Sequence, residues 1–152
     1  MTIWPGLFGF TNVLAILAWL VLLFAPRKPL AHSVVLYLGV ALLCLIYTVC
    51  FALFLSGSVD IGALPGGGEP GFGSIEAVRA LFMSDGGVVI GWTHYLAFDL
   101  FTGLWIARDA DAKGFSRIVQ APFLAVTFTA GPIGLLSWLM VRERRARATG
   151  RG

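Results

Sequence analysis

Charge is scarce in this sequence: lysine and arginine number 11 and acidic residues eight among 152, together 12%, while 58% of the residues are hydrophobic. A water-soluble domain carries about a quarter charged residues. With a mean hydropathy of +0.86, the composition excludes a water-surrounded globule and indicates a membrane protein. Cysteine is nearly absent. Cys44 and Cys50 lie six residues apart in one apolar run, which excludes a disulfide framework or a cysteine zinc site and leaves them as packing residues. The two histidines, His32 and His94, fall toward opposite ends of neighbouring apolar runs, which excludes a bis-histidine haem. No cluster of histidine, cysteine and carboxylate offers a metal site, so no metal and no resident cofactor is expected. A nucleophile triad and a phosphate-binding loop are also missing.

What is present is four apolar runs, at about 6–25, 33–55, 88–107 and 122–141, that contain a single formal charge, Asp99. Each approaches the roughly 20 residues needed to cross a hydrocarbon core about 30 Å thick. Backbone polar groups in lipid must be satisfied locally, so each run is expected to be helical. The fold class is therefore an all-α membrane protein with four transmembrane helices in a single domain, 1–152. "APRKP" makes a short connection that pairs the first two helices antiparallel. The stretch 56–73 contains "GALPGGGEPGFG", too rich in glycine and proline for regular structure, and is expected to be a flexible loop. It leads into "SIEAVRALFMSDGG", a short helix capped by Ser74, stopped at Gly86-Gly87 and expected at the membrane interface before the third span.

Residues 142–152 form a basic tail, which is expected to anchor at the lipid interface and not to bind nucleic acid. The first run lacks a basic leader and is expected to be a retained span. With no arginine- and serine-rich presequence, the expected location is a prokaryotic inner membrane. Four crossings would put both termini and the long loop on one side. The basic residues then divide five against six: Arg27, Lys28, Arg108, Lys113 and Arg117 opposite Arg79, Arg142, Arg144, Arg145, Arg147 and Arg151. On that count the positive-inside rule does not decide orientation.

Asp99 and His94 are the candidate chemical groups. An ionised aspartate near mid-bilayer costs roughly 3 kcal/mol on insertion scales, so Asp99 is expected to face protein, a cavity or a ligand. At about 100° per residue Trp92, Tyr95, Asp99 and Thr102 share one helix stripe, while His94, Phe98 and Phe101 share another. The offset between His94 and Asp99 is about 140° with a rise of roughly 7 Å, so they cannot bond each other on a regular helix. Asn12 matches His94 in depth and is a candidate partner for it. Gly131-Pro132 matches Asp99 in depth. Proline there is expected to kink the fourth helix and free the Phe128 carbonyl for Asp99. A crevice between the third and fourth helices, marked by Trp92, His94, Tyr95 and Asp99, is the expected functional surface.

"WTHYLAFDLFTGLWIARDA" followed by "FTAGPIGLL" resembles the small membrane protein family named for the plant abscisic-acid-deficient four protein, which is required for neoxanthin synthesis. The matching positions are Trp92, His94, Asp99, Leu100 and Phe101, then Gly131, Pro132 and Gly134. The resemblance implies a role in carotenoid or isoprenoid metabolism, with isomerisation of a carotenoid epoxide as the implied reaction. That chemistry needs an acid at the epoxide oxygen and a base at the adjacent carbon, without a redox cofactor. His94 and Asp99 would be its catalytic residues, acting from different sides of the substrate. Trp92, Tyr95, Asn12, Thr102, Gly131 and Pro132 would contact the substrate. The alternative is a non-enzymatic subunit that binds a carotenoid or packs into a larger, photosynthetic or homo-oligomeric, membrane complex. The partners expected on either reading are the lipid bilayer and a carotenoid or other apolar isoprenoid.

Overall fold

The computed structural model describes residues 3–58 and 70–149, with side chains up to Glu143. Six helices follow one another: α1 (Trp4–Phe24), α2 (Pro29–Leu55), α3 (Ile75–Leu81), α4 (Asp85–Ala112), α5 (Arg117–Thr129) and α6 (Gly131–Thr149). The all-helical expectation holds, with no strand among the described residues. The expected loop is described at its two ends, 59–69 lying outside the described residues. Of the expected tail, the backbone continues α6 to Thr149 and 150–152 lie outside.

Local chemistry explains most boundaries. Ala25 is extended before Pro26, which ends α1. Pro29 opens α2, where its missing N–H is no loss. The middle of α2, Val35–Ala41, is π-helical. Serine hydroxyls cap the next three helices: Ser74 accepts from the Ala77 amide at 3.1 Å, Ser84 from Gly87 at 3.1 Å and Ser116 from Val119 at 3.4 Å. The Ser74 cap was legible in the sequence, but the stop was not. Gly86 and Gly87 do not end α3; they lie in the first turn of α4, because Ser84 captures the Gly87 amide and starts a new helix there.

α1 and α2 are long and apolar enough to cross a membrane, with mean hydropathies of 2.3 and 2.6. Only 28% and 22% of their most apolar stretches are buried, so most of their apolar surface faces outward. Their remaining surface carries Phe10, Val13, Leu17 and Leu20 on α1 and Tyr37, Leu38, Leu45 and Val49 on α2, all exposed. An outward apolar surface of that extent suits lipid.

The fourth apolar run is not one kinked helix, which corrects the sequence expectation of a continuous span over 122–141. The chain breaks at Ala130 (φ −152°, ψ 75°) and reverses. Trp138 of α6 packs edge-on against Phe123 of α5 (ring centroids 5.4 Å apart) and against Phe115, just before α5 (4.9 Å). In a continuous helix Trp138 and Phe123 would stand about 22 Å apart. α5 and α6 are thus two antiparallel half-helices. Gly134 makes the fold-back sterically feasible, since a Cβ there would overlap the Thr127 backbone. Pro132 occupies the first turn of α6, where it disrupts no helical bond.

The main core is built where this hairpin meets α1, α2 and α4. Trp19, Leu43, Leu100, Leu104, Leu124 and Trp138 are buried together, and Gly103 leaves the space into which the Trp19 ring fits. A polar cluster closes the same end. Asp109 accepts from Arg142 at 2.8 and 3.0 Å, from Lys113 at 2.5 Å and from the Trp138 indole at 3.0 Å. Arg27 donates to Asp111, Gln120 donates to Asp111 at 3.1 Å, and Arg117 donates to the carbonyls of Leu23 and Ala25 at 3.1 and 2.6 Å. Burial works against the Asp109 carboxylate, but Arg142, Lys113 and Trp138 outweigh it and hold its carboxyl below the usual range.

Candidate functional site

α4 carries both candidate groups, and the structure separates them. Its first face holds a line of polar contacts that runs from α1 to the tip of the hairpin. The Trp92 indole donates to Asn12 Oδ1 at 3.0 Å, and Trp92 stacks on Tyr95 with centroids 5.3 Å apart. The Tyr95 hydroxyl donates to the Thr129 carbonyl at 3.1 Å, taking up one of the acceptors freed at the end of α5. Asp99 follows one turn on, only 8% exposed. Its carboxyl faces the Tyr95 hydroxyl and the Gly131 amide, at the N-terminus of α6. That position suits a carboxylate, because the first amides of a helix are unpaired and its dipole is positive there. The approach is close at Gly131, where an added Cβ would overlap the Asp99 carboxyl. Asp99 Oδ2 is buried with no hydrogen-bond partner among the described residues.

Three expectations are corrected here. Asn12 pairs with Trp92 and not with His94, because the α1–α4 contact presents the Trp92 face. Asp99 lies against Gly131, which starts a helix after the reversal, and no hydrogen bond joins it to the Phe128 carbonyl among the described residues. Thr102 lies on the same stripe as Asp99, but its hydroxyl donates back to the Phe98 carbonyl at 2.8 Å and joins neither group.

His94 is on the other face, as its angular offset required. Its ring lies 4.6 Å from Phe98 and 5.4 Å from Tyr47, centroid to centroid, and it makes no hydrogen bond among the described residues. It lines a cavity of about 240 Å³ between α2, α3 and α4. Tyr47, Phe51 and Phe54 of α2 form one wall, the first two stacked at 5.6 Å. Phe72, Val78, Leu81 and Phe82 form another, and Ile90 and Gly91 complete the α4 side. Where a crevice was expected between α4 and the following helices, the hairpin tip packs directly on α4, with Thr129 on Tyr95 and Gly131 on Asp99, and the cavity that His94 lines is on the opposite flank of α4. Sequence reasoning missed the aromatic wall. Its signal was available in the four- and three-residue spacings of Tyr47, Phe51 and Phe54, which place them on one helix face.

The cavity is apolar with one imidazole free to bond a ligand oxygen. The hairpin tip is a buried carboxyl set between a phenol and a helix N-terminus. Among the described residues no group of three or more histidine, cysteine or carboxylate side chains could hold a metal ion. Together these features define a small all-helical protein with outward apolar helices and an aromatic-lined cavity beside its longest helix. The chain belongs to the ABA DEFICIENT 4-like family, whose model matches residues 6–138 and so spans every candidate site residue. No curated protein and no solved structure matches it.

Proposed function

We propose that this is an integral membrane protein of carotenoid or isoprenoid metabolism that binds an oxygenated, otherwise apolar isoprenoid in the aromatic cavity between α2, α3 and α4. The observation that carries the reading is His94, a side chain without a hydrogen-bond partner among the described residues, in the wall of an aromatic cavity. An apolar ligand with one polar end matches such a lining, since aromatic side chains supply contact area and a single polar group fixes orientation. Family membership supports the substrate class.

The further step, isomerisation of a carotenoid epoxide without a cofactor, needs an acid and a base that converge on one ligand. His94 and Asp99 face different flanks of α4, so the cavity alone supplies one of the two. The geometry favours binding as the primary function. In the isomerase reading, the ligand would have to reach around α4 to Asp99.

Expression in a carotenoid-producing bacterium, with analysis of the pigment pool and of the purified protein, tests both. A stoichiometric bound pigment that is lost in His94→Ala and in Phe51→Ala is the expected result. A new pigment that disappears with His94→Ala or Asp99→Asn favours the isomerase. An unaltered pool with no bound pigment overturns the carotenoid reading.

A further inference from the structure

We infer that the chain crosses the bilayer three times, by α1, α2 and α4, and that 117–142 form a re-entrant hairpin that enters and leaves at the cytoplasmic face. The end of the apolar part of α6 lies beside the start of α5, because Trp138 contacts Phe115 and Phe123. Both belong to the end of α4, where Asp109 takes the Trp138 indole and the Arg142 guanidinium. At its other end the hairpin reaches the middle of α4, with Thr129 on Tyr95 and Gly131 on Asp99. From Asp99 to Asp109 along α4 is a rise of about 15 Å, and from Gly131 to Arg142 along α6 about 16 Å. The equal rises place α6 parallel to α4, with the tip about halfway through a core of roughly 30 Å.

Irregular backbone at that depth survives only where protein satisfies it. Here the Ala130 amide donates to the Val126 carbonyl at 2.7 Å, and the Ala130 carbonyl accepts from Ile133 and Gly134, each at 3.0 Å. The Thr129 carbonyl accepts from Tyr95. The reversal is thus closed by its own turn and by α4.

Three crossings put the chain ends on opposite sides, and this resolves the charge count. The short connections carry Arg27, Lys28, Lys113 and Arg117, with Arg108 at the end of α4. In a three-crossing chain Arg142, Arg144, Arg145 and Arg147 of α6 join them on the same side. Among the described residues only Arg79, in α3, lies on the other. Nine basic residues against one assign the basic side to the cytoplasm. The aromatic cavity is bounded by Phe54, Leu81 and Gly87, at the far ends of α2, α3 and α4. It therefore belongs to the non-cytoplasmic leaflet, and a ligand would load from there, a consequence that rests on the binding reading above.

The test is to express the full chain in bacterial cells with a short epitope tag at each terminus, alongside single-cysteine variants Lys28→Cys and Ser58→Cys on a Cys44→Ser, Cys50→Ser background. The expected result is an N-terminal tag and a position-58 thiol accessible from outside intact spheroplasts, and a C-terminal tag and a position-28 thiol accessible only after permeabilisation. Both tags on one side would overturn the re-entrant hairpin and restore four crossings. Tags on opposite sides with the N-terminus in the cytoplasm would overturn the orientation. The readout does not involve pigment, so a protein with the expected topology and no bound carotenoid would reject the ligand reading alone.

Discussion

Two aspartates on one helix, ten residues apart, live in opposite circumstances. Asp109 sits at the end of α4 with its carboxylate oxygens taken by Arg142, Lys113 and Trp138. Asp99 sits in the middle of the same helix, more deeply buried, with one oxygen that has no partner among the described residues. The first is a clamp: it joins α4 to the returning end of α6 and the turn before α5. Among the described residues the second has no charged partner: it lies against Gly131 at the start of α6 with one oxygen unpaired. A buried carboxyl oxygen without a partner adds the cost of its desolvation with no bond to offset it.

The comparison is sharpest under mutation. Asp109→Ala should have the largest effect, because it leaves Arg142, Lys113 and the Trp138 indole without their acceptor at a site where Asp109 is only 11% exposed. A loss of about 3 kcal/mol is expected, read as a lowered Tm in detergent and as protease access to α6. An unchanged Tm would show that the cluster does not hold the hairpin base.

The same clamp should make stability depend on acid. The Asp109 carboxyl, beyond the apolar run of α4, is held below its usual range, against the desolvation that opposes it, by Arg142, Lys113 and Trp138. Its contribution is therefore fully present above the ordinary carboxylate range and is lost as pH falls through the lowered folded-state value. Thermal melts from about pH 6 down to about pH 3 should show a decline at the acid end that is smaller in Asp109→Asn. Parallel curves would remove Asp109 as its source.

At the tip, Gly134→Ala and Gly131→Ala separate two kinds of crowding. The added Cβ of the first meets the Thr127 backbone, which cannot step aside, and about 2 kcal/mol of destabilisation is expected. That of the second meets the Asp99 side chain, which can rotate, so the loss of stability should be smaller. A reversed order in Tm would contradict the packing of the hairpin. Asp99→Asn should have the smallest effect on Tm of all. Should it instead destabilise as much as Asp109→Ala, the contrast between clamp and unpaired carboxyl would collapse.

Much of the architecture is legible in the sequence. The apolar runs announce helices, Ser74 announces its cap, and the 100° periodicity puts Trp92, Tyr95 and Asp99 together and His94 elsewhere. Such features depend on residues within a turn or two of each other. Other features have no such signature. Ser84 reads as an ordinary polar residue near two glycines, and only its bond to the Gly87 amide reveals a helix start. The aromatic wall of the cavity is visible as a spacing on α2, but its opposite wall comes from α3, and no local pattern tells which helix faces it.

The fourth apolar run marks the boundary most clearly. By itself the sequence determined that 122–141 is apolar, helical and interrupted at Gly131-Pro132, because hydropathy and proline sterics act locally. Whether that interruption bends the helix by some tens of degrees or turns it back was decided by the dihedrals of one residue, Ala130. Nothing in its neighbours selects them. They are selected by Trp138 finding Phe115 and Phe123, by Gly134 closing on Thr127 and by Arg142 reaching Asp109. These contacts join residues 7 to 33 positions apart, and their energy exists only once the chain has already folded back.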